Sequence, residues 1–337
     1  MIELNELRDA AQKAFPADQL SPDRDQSWAL AAEMGWMMIR VPEEMGGLGL
    51  GRESSVAIHY EMGRVLSSAP LIPAQLGLTA IMLADGLAGQ EDLVERICGG
   101  EYIPLHMLPS KIEDNGGAFS GTVSGVFEAD MASHVVSYLA GSYVLVPTDA
   151  EGVTITERAI WDPSRRLFDI ELSGFTPDPA MVLSSGQAAV AMHDAISPDA
   201  HLAIAADCLG GATATLDMSV EYMGMRKQFE RPIGMFQALK HRAADCKTKI
   251  FTAEALLWSL AARDEASLAQ FGSAKTLAAE TYEFVTEEAI QFHGGIGLTE
   301  EHQCHQFMKR AMLNLQLSGG PDHWHEKTGR ETLAAFS

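Results

Sequence analysis

Arg226, Lys227, Arg231, His241 and Arg242 cluster around Phe229 and Gln237 in a chain whose formal net charge is -22. The segment closes one long helical pattern, turns at Pro232 and Gly234, and opens another. A guanidinium at such a corner can grip a phosphate through charge-assisted hydrogen bonds, and the aromatic ring beside it offers a face to a flat heterocycle. Arginine near a helix C-terminus also complements the helix dipole, so spacing alone leaves a solvated helix end as the alternative. A second stretch, Gln291-Phe292-His293-Gly294-Gly295-Ile296-Gly297-Leu298-Thr299, puts three glycines past a helix. Amides exposed there can bind an anion or a ribose, while a plain helix C-cap uses the same residues. His293 by itself reads as a satisfied structural histidine rather than a catalyst.

Three kinds of segment must position these residues. From residue 1 to about 97, apolar positions recur three and four apart in DQSWALAAEMGWMMI and PAQLGLTAIMLADGLAG, with a Gly/Pro-rich break between, which predicts helices. From about 101 to 187 the texture becomes short alternating β-branched runs: FSGTVSGVF, HVVSYL, SYVLVP, GVTIT and RRLFDIEL. Helix returns at Ser197-Pro198, with Ser197 placed to cap and Pro198 at the first helical position. Leu202, Ala205, Leu209, Ala212, Leu216, Ser219 and Met223 then form a stripe for packing in a bundle. Further helices are expected over about 236–264 and 266–292, with shorter ones after Gly295 and Pro321. The predicted fold class is α+β, mainly α. It comprises an N-terminal helical domain (1–97), a small, shortened middle β-domain (98–190) and a C-terminal four-helix bundle (191–337).

Composition narrows the function. A 337-residue chain that is 47% hydrophobic folds around large cores, and its acidity argues against nucleic acid. No signal-like N-terminus and no window of about 18 apolar residues predict a cytoplasmic protein without membrane insertion. Cys98, Cys208, Cys246 and Cys304 lack the paired spacing of zinc or dithiol chemistry, so no metal is expected.

The two chemical stretches resemble the acyl-CoA dehydrogenase family, whose pattern is an R-x-x-F-x-x-P-I/L corner, a glutamine soon after, and a later Q-x-x-G-G-x-G. Arg226, Phe229, Pro232, Ile233, Gln237, Gln291, Gly294, Gly295 and Gly297 stand in that order. MGWMMIRVPEEMGGLGLG is similar to the family's G-W-x-x-x-x-x-P-E-E-x-G-G-x-G, with Pro42, Gly46 and Gly47 as fold-maintaining turns, and Glu61-Met62-Gly63-Arg64 matches its E-x-G-R. The resemblance runs end to end. It implies FAD shared across a subunit interface, the flavin ring on one subunit's β-domain and the adenosine end on the neighbour. Arg226 would then pair with the pyrophosphate, Phe229 and Gln237 would line the adenosine, and Gln291, Gly294 and Gly295 would supply side-chain and backbone hydrogen bonds.

Elsewhere the chain departs from the family. The usual L-T-E-P-x-x-G-S-D segment is replaced by IPLHMLPSKIEDNGG, and W-I-[ST]-N by Val126-Phe127-Glu128-Ala129. The family's reaction removes an α-proton from an acyl thioester with a carboxylate while a β-hydride passes to the flavin. Its usual base is a glutamate in a Y-E-G-T/G-T-x-E loop. Here Gln316-Leu317-Ser318-Gly319-Gly320-Pro321-Asp322-His323 puts Ser318 or Gly319 at that position, and neither accepts such a proton. The family's other base position aligns with Ala200, beside His201. Asp322 and His323 are the nearest titratable substitutes, although Asp322 after Pro321 fits the cap of a last helix at 322–336.

A subgroup of the family has this pattern: short, base-lacking chains that form α2β2 heterotetramers with a full-length, glutamate-bearing dehydrogenase in bacterial breakdown of steroid side chains. The run Asp162–Leu172 is similar to that class as well. The resemblance therefore implies an FAD-dependent subunit acting on an acyl-CoA, with electron-transfer flavoprotein as acceptor. The alternatives are a self-sufficient homotetramer with a displaced base, and a non-catalytic acyl-CoA-binding or regulatory paralogue.

Overall fold

Helical periodicity and β-alternation divide the chain as their spacing predicts, in a computed structural model that describes residues 4–263, 265–334 and 336. Helices α1 (Leu4–Ala14), α2 (Arg24–Glu33), α3 (Arg52–Arg64), α4 (Leu71–Met82) and α5 (Gln90–Cys98) come first. Strands β1 (Lys111–Asp114), β2 (Phe119–Phe127), β3 (His134–Leu139), β4 (Ser142–Pro147), β5 (Val153–Arg158), β6 (Leu167–Phe175) and β7 (Val182–Ser185) follow. Then come α6 (Gln187–Met225), the strands β8 (Lys227–Gln228) and β9 (Arg231–Pro232), and helices α7 (Gln237–Ala261), α8 (Leu268–His293), α9 (Cys304–Gln316) and α10 (Pro321–Ala334). The expected order, α+β and mainly α, is the observed one. Among the described residues no helix is long and apolar enough to cross a membrane.

The described chain separates into two compact units. One holds the residues up to Pro22, Gly51–Ser67 and everything from His201 on; the other holds Asp23–Leu50 and Ser68–Ala200. In the second, two antiparallel sheets form, with strand orders β1-β2-β6-β5 and β3-β4-β7. The runs FSGTVSGVF, HVVSYL and SYVLVP coincide with β2, β3 and β4, and the neighbouring pairs Val135–Val136 and Val144–Leu145 bury both faces of β3 and β4. Strands β1 and β7 escaped prediction: at four residues each they are too short to show a period.

In the first unit, α8 is the hub, packing against α7, α9 and α10, while α1 lies on α3. The stripe Leu202, Ala205, Leu209, Ala212, Leu216, Ser219 and Met223 is buried throughout, as its spacing predicts. Helices α3 and α6 cross at near backbone contact. A Cβ added to Gly63 would lie 2.3 Å from the Asp207 carbonyl oxygen, and one added to Gly210 would lie 1.9 Å from that of Tyr60. The E-x-G-R motif is thereby explained: Gly63 admits the crossing, and buried Glu61 accepts hydrogen bonds from Arg8 (2.7 and 2.9 Å) and Gln12 (3.0 Å).

Three local expectations are corrected. Helix α6 begins at Gln187, ten residues before Ser197, and runs through Pro198. Ser197 caps nothing; its hydroxyl donates to the His193 carbonyl at 2.7 Å. A proline inside a helix removes one hydrogen bond and costs about 3 kcal/mol, which the long buried stripe of α6 outweighs. Second, a hairpin, β8–β9, stands where a simple turn was expected. Third, α10 starts at Pro321, so Asp322 sits within its first turn and complements the helix dipole there instead of capping it. The expected helix end at 336 and the expected 236–264 helix both reach across residues outside those described; the observed helices are Pro321–Ala334 and Gln237–Ala261.

Candidate functional site

Arg226 follows the last turn of α6, with its amide donating to the Tyr222 carbonyl at 2.8 Å and its carbonyl accepting from the Ile233 amide at 2.8 Å. Its side chain is exposed and, among the described residues, makes no hydrogen bond or ion pair. Two residues on, Phe229 and Glu230 form the tip of the β8–β9 hairpin with φ of 52° and 64°. A two-residue hairpin turn with both φ positive is the type I′ pattern, normally built from Asn or Gly. A phenylalanine in that region is an outlier that the surrounding hairpin has to hold in place. Its ring is 79% exposed, touched edge-on by Phe236 at 6.3 Å, while Arg231 lies over Phe236 at 4.2 Å. Gln237, exposed, is the first residue of α7.

The glycine stretch begins at the end of α8. Gln291 is exposed, and Gly294 and Gly295 are exposed with nothing within 4 Å of an added Cβ, so this backbone is open to a ligand. Two links join it to the corner. The Tyr222 ring lies 4.5 Å from that of His293, and Arg242 on α7 pairs with Glu288 and covers Phe292 on α8. An unpaired cation, an exposed ring and an open glycine backbone on neighbouring helix ends suit a nucleotide's phosphates, heterocycle and ribose.

The loop expected to carry a base is built differently. Ser318 and Gly319 have φ of 51° and 93°, and a Cβ added to Gly319 would lie 2.7 Å from Trp324 Nε1. That indole fills the interior beneath the loop. It packs on Gly272 of α8, meets the buried His201 ring edge-on at 4.6 Å, and donates to the Ser318 carbonyl at 2.8 Å. Lys275, fully buried on α8, donates from Nζ to the carbonyls of Leu315 and Gly319, both at 2.9 Å. Burial pulls its ammonium down to about 8. Asp322 and His323 are both exposed. Beside the loop, buried Arg310 donates to Asp207 at 3.2 Å and to the Ser67 carbonyl at 3.2 Å, and Asn314 donates to Asp207 at 2.7 Å. Sequence reasoning missed Lys275, Arg310 and Asp207, because a lone charge in an amphipathic pattern carries no sign that it points inward.

In the other unit, Val126, Phe127, Glu128 and Ala129 are all buried. The Glu128 carboxylate accepts from Arg24 at 2.7 Å and from the Arg166 amide at 2.9 Å, and burial pushes its pKa up. Tyr102 donates its hydroxyl to the Phe127 carbonyl at 2.9 Å. In the preceding segment the His106 ring contacts the Ser124 carbonyl at 2.8 Å, and desolvation lowers its pKa to about 4. The Glu128 carboxylate, the Phe127 carbonyl and the His106 ring are thus each committed to a partner inside the unit.

At the C-terminal end of α8, His293, His302 and Cys304 bring their ligand atoms within 4.8 Å of one another. Sequence reasoning compared cysteine with cysteine and so did not see this mixed cluster.

Comparison with known proteins gives a consistent picture. Residues 4–101 match the family model for the acyl-CoA dehydrogenase N-terminal domain, and residues 199–332 match that for the acyl-CoA dehydrogenase C-terminal domain. The chain is 30% identical to acyl-CoA dehydrogenase IpdE2 of Mycolicibacterium smegmatis over 92% of this chain and 89% of that one. It is also 30% identical to IpdE2 of Mycobacterium tuberculosis, over 93% and 88%. Among solved structures, a variant of the Tcur3481-Tcur3483 steroid ACAD matches with a TM-score of 0.86 at 26% identity, over 99% of each chain. The ChsE4-ChsE5 complex from Mycobacterium tuberculosis matches in fold with a TM-score of 0.84 at 24% identity, over 98% and 96%.

Proposed function

The chain belongs to the acyl-CoA dehydrogenase family, and from that premise we propose that it is a base-lacking subunit which dehydrogenates an acyl-CoA only together with a full-length partner. The observation that carries the proposal is Gly319. Its φ of 93° and the 2.7 Å approach of Trp324 Nε1 to an added Cβ disfavour a larger side chain there, and Ser318, the other position the resemblance aligns with the base, has only a hydroxyl. Ala200, the other expected position, is 5% exposed and carries no proton acceptor. In this reading the partner supplies the glutamate.

The open corner supports the cofactor half of the reading. Arg226 would bind the pyrophosphate of FAD, Phe229 and Gln237 its adenosine, and Gln291, Gly294 and Gly295 would add hydrogen bonds from side chain and backbone. When bound, FAD supplies the hydride acceptor. The committed polar groups around Glu128 and His106 support a chain that lends the adenosine side of a shared site and not the ring side. Two matched structures carry paired names, and one is called a steroid ACAD, which supports a dehydrogenase partner and a steroid side-chain CoA as substrate. Electron-transfer flavoprotein is the acceptor in this reading, and four free cysteines suit a reducing cytoplasm.

The test is the visible spectrum and mass of the chain purified alone and co-expressed with a full-length dehydrogenase. The reading expects a colourless lone chain and a yellow heterotetramer that oxidises acyl-CoA. A yellow, active homotetramer would establish the self-sufficient alternative. A complex whose flavin no acyl-CoA reduces would establish the non-catalytic one.

A further inference from the structure

His293 is the last residue of α8, His302 lies in the turn that follows, and Cys304 is the first residue of α9. Their ligand atoms lie within 4.8 Å of one another, with His293 and Cys304 buried and His302 half-buried. The tautomer of His293 is set by its surroundings. Nδ1 stands 2.7 Å from the Ala289 carbonyl, which can only accept, so the proton is on Nδ1 and the lone pair on Nε2. That Nε2 is buried and has no hydrogen-bond partner among the described residues. A donated Nδ1–H with a bare, buried Nε2 is the arrangement that outer-shell carbonyls impose on metal-binding histidines. His302 Nδ1 accepts from the Cys304 amide at 3.3 Å, so the neutral ring carries its proton on Nε2 and offers a metal the Nδ1 lone pair in place of that long amide bond, while the Cys304 thiol donates weakly to the Gly297 carbonyl at 3.3 Å.

We propose that His293, His302 and Cys304 form a zinc site that ties the end of α8 to the start of α9. Tetrahedral zinc, with Zn–N about 2.0 Å and Zn–S about 2.3 Å, needs ligand atoms about 3.3–3.6 Å apart, so small side-chain rotations close the site. Two imidazoles and a thiolate suit Zn(II) over Mg(II) or Ca(II), which take oxygen ligands. On binding, the Cys304 S–H bond breaks, its proton leaves to solvent, and the thiolate bonds the metal. Three protein ligands leave the fourth position of a tetrahedral ion to water. The expectation of no metal rested on cysteine pairing, which says nothing of a mixed His–Cys set. The site holds whether or not the FAD reading does, because none of its three ligands is a proposed FAD contact.

The test uses the full chain, stripped with a chelator, dialysed against Zn(II) and freed of unbound ion. The expected result is about one zinc per chain, a raised unfolding temperature, and an X-ray absorption shell with sulfur at about 2.3 Å beside nitrogen at about 2.0 Å. His302→Gln, at a half-buried position that leaves the core untouched, and Cys304→Ser should each weaken zinc binding by more than about tenfold, the cost of losing even an outer-shell partner. Absence of retained zinc, a shell without sulfur, or binding unchanged in both folded variants would overturn the proposal.

Discussion

The ammonium of Lys275 donates to the carbonyl of Gly319 at 2.9 Å from a fully buried position, so the loop at the family's base position is held from beneath by α8. A second bond, to the Leu315 carbonyl at 2.9 Å, fixes the C-terminal turn of α9. Lys275→Met keeps the hydrophobic stem but strands both carbonyls. Each stranded acceptor costs about 1–3 kcal/mol, so urea unfolding should show a loss of about 2–6 kcal/mol. A loss below about 0.5 kcal/mol, the range of an ordinary surface substitution, would mean that the loop holds itself.

Gly319→Glu should not restore a working base. The left-handed strain costs about 1–3 kcal/mol, and displacing Trp324 from the Ser318 carbonyl adds about 0.5–1.5 kcal/mol. The lone variant is expected to be less stable by calorimetry and to leave acyl-CoA unoxidised. Turnover by this variant alone would refute the reading of the loop as closed to a carboxylate.

Arg226 has no partner within the described chain, and its proposed partner is a pyrophosphate. Arg226→Ala in the heteromer should weaken FAD retention by about 1.5–3 kcal/mol, the worth of a charge-assisted hydrogen bond. The unfolding midpoint of the lone chain should stay within about 0.5 kcal/mol of wild type. Equal FAD content in the two heteromers would remove the corner from the cofactor site.

Phe229 separates local stability from binding. In Phe229→Gly the left-handed turn is relieved of a strain of about 1–2 kcal/mol, so the lone chain should hold its stability or gain slightly. The heteromer should lose FAD affinity with the ring. If affinity is unchanged, the exposed phenyl serves an interface and not the cofactor.

The pH dependence of stability has a definite sign at His106. Burial lowers its pKa to about 4 from an ordinary 6.5, so between these values the unfolded chain binds a proton that the folded chain does not. Stability therefore rises with pH across that window and is lost as pH falls from 6.5 toward 4, by at most about 3 kcal/mol from this residue. Urea midpoints at pH 7 and pH 4.5 should differ less in His106→Gln than in wild type. His134 and His293, also lowered by burial, keep part of the slope.

The sequence by itself determined what depends on local pattern. Period 3.6 over Leu202–Met223 and period 2 over Phe119–Phe127 dictate which face is buried, so the element order and most of the core were legible. The R-x-x-F and Q-x-x-G-G motifs were legible because each lies on one short segment, and the cofactor role proposed for them came from the family resemblance. Only the tertiary structure decided what depends on residues far apart in the chain. The start of α6 was hidden because Pro198 imitates a helix N-terminus, although burial along the helix outweighs its cost. Lys275 beneath Gly319, Trp324 against Gly272, and the meeting of His293 with His302 and Cys304 are set by how helices pack. A charge, an indole or an imidazole looks the same in sequence whether it faces water or another helix, and the difference in environment is what gives each its role.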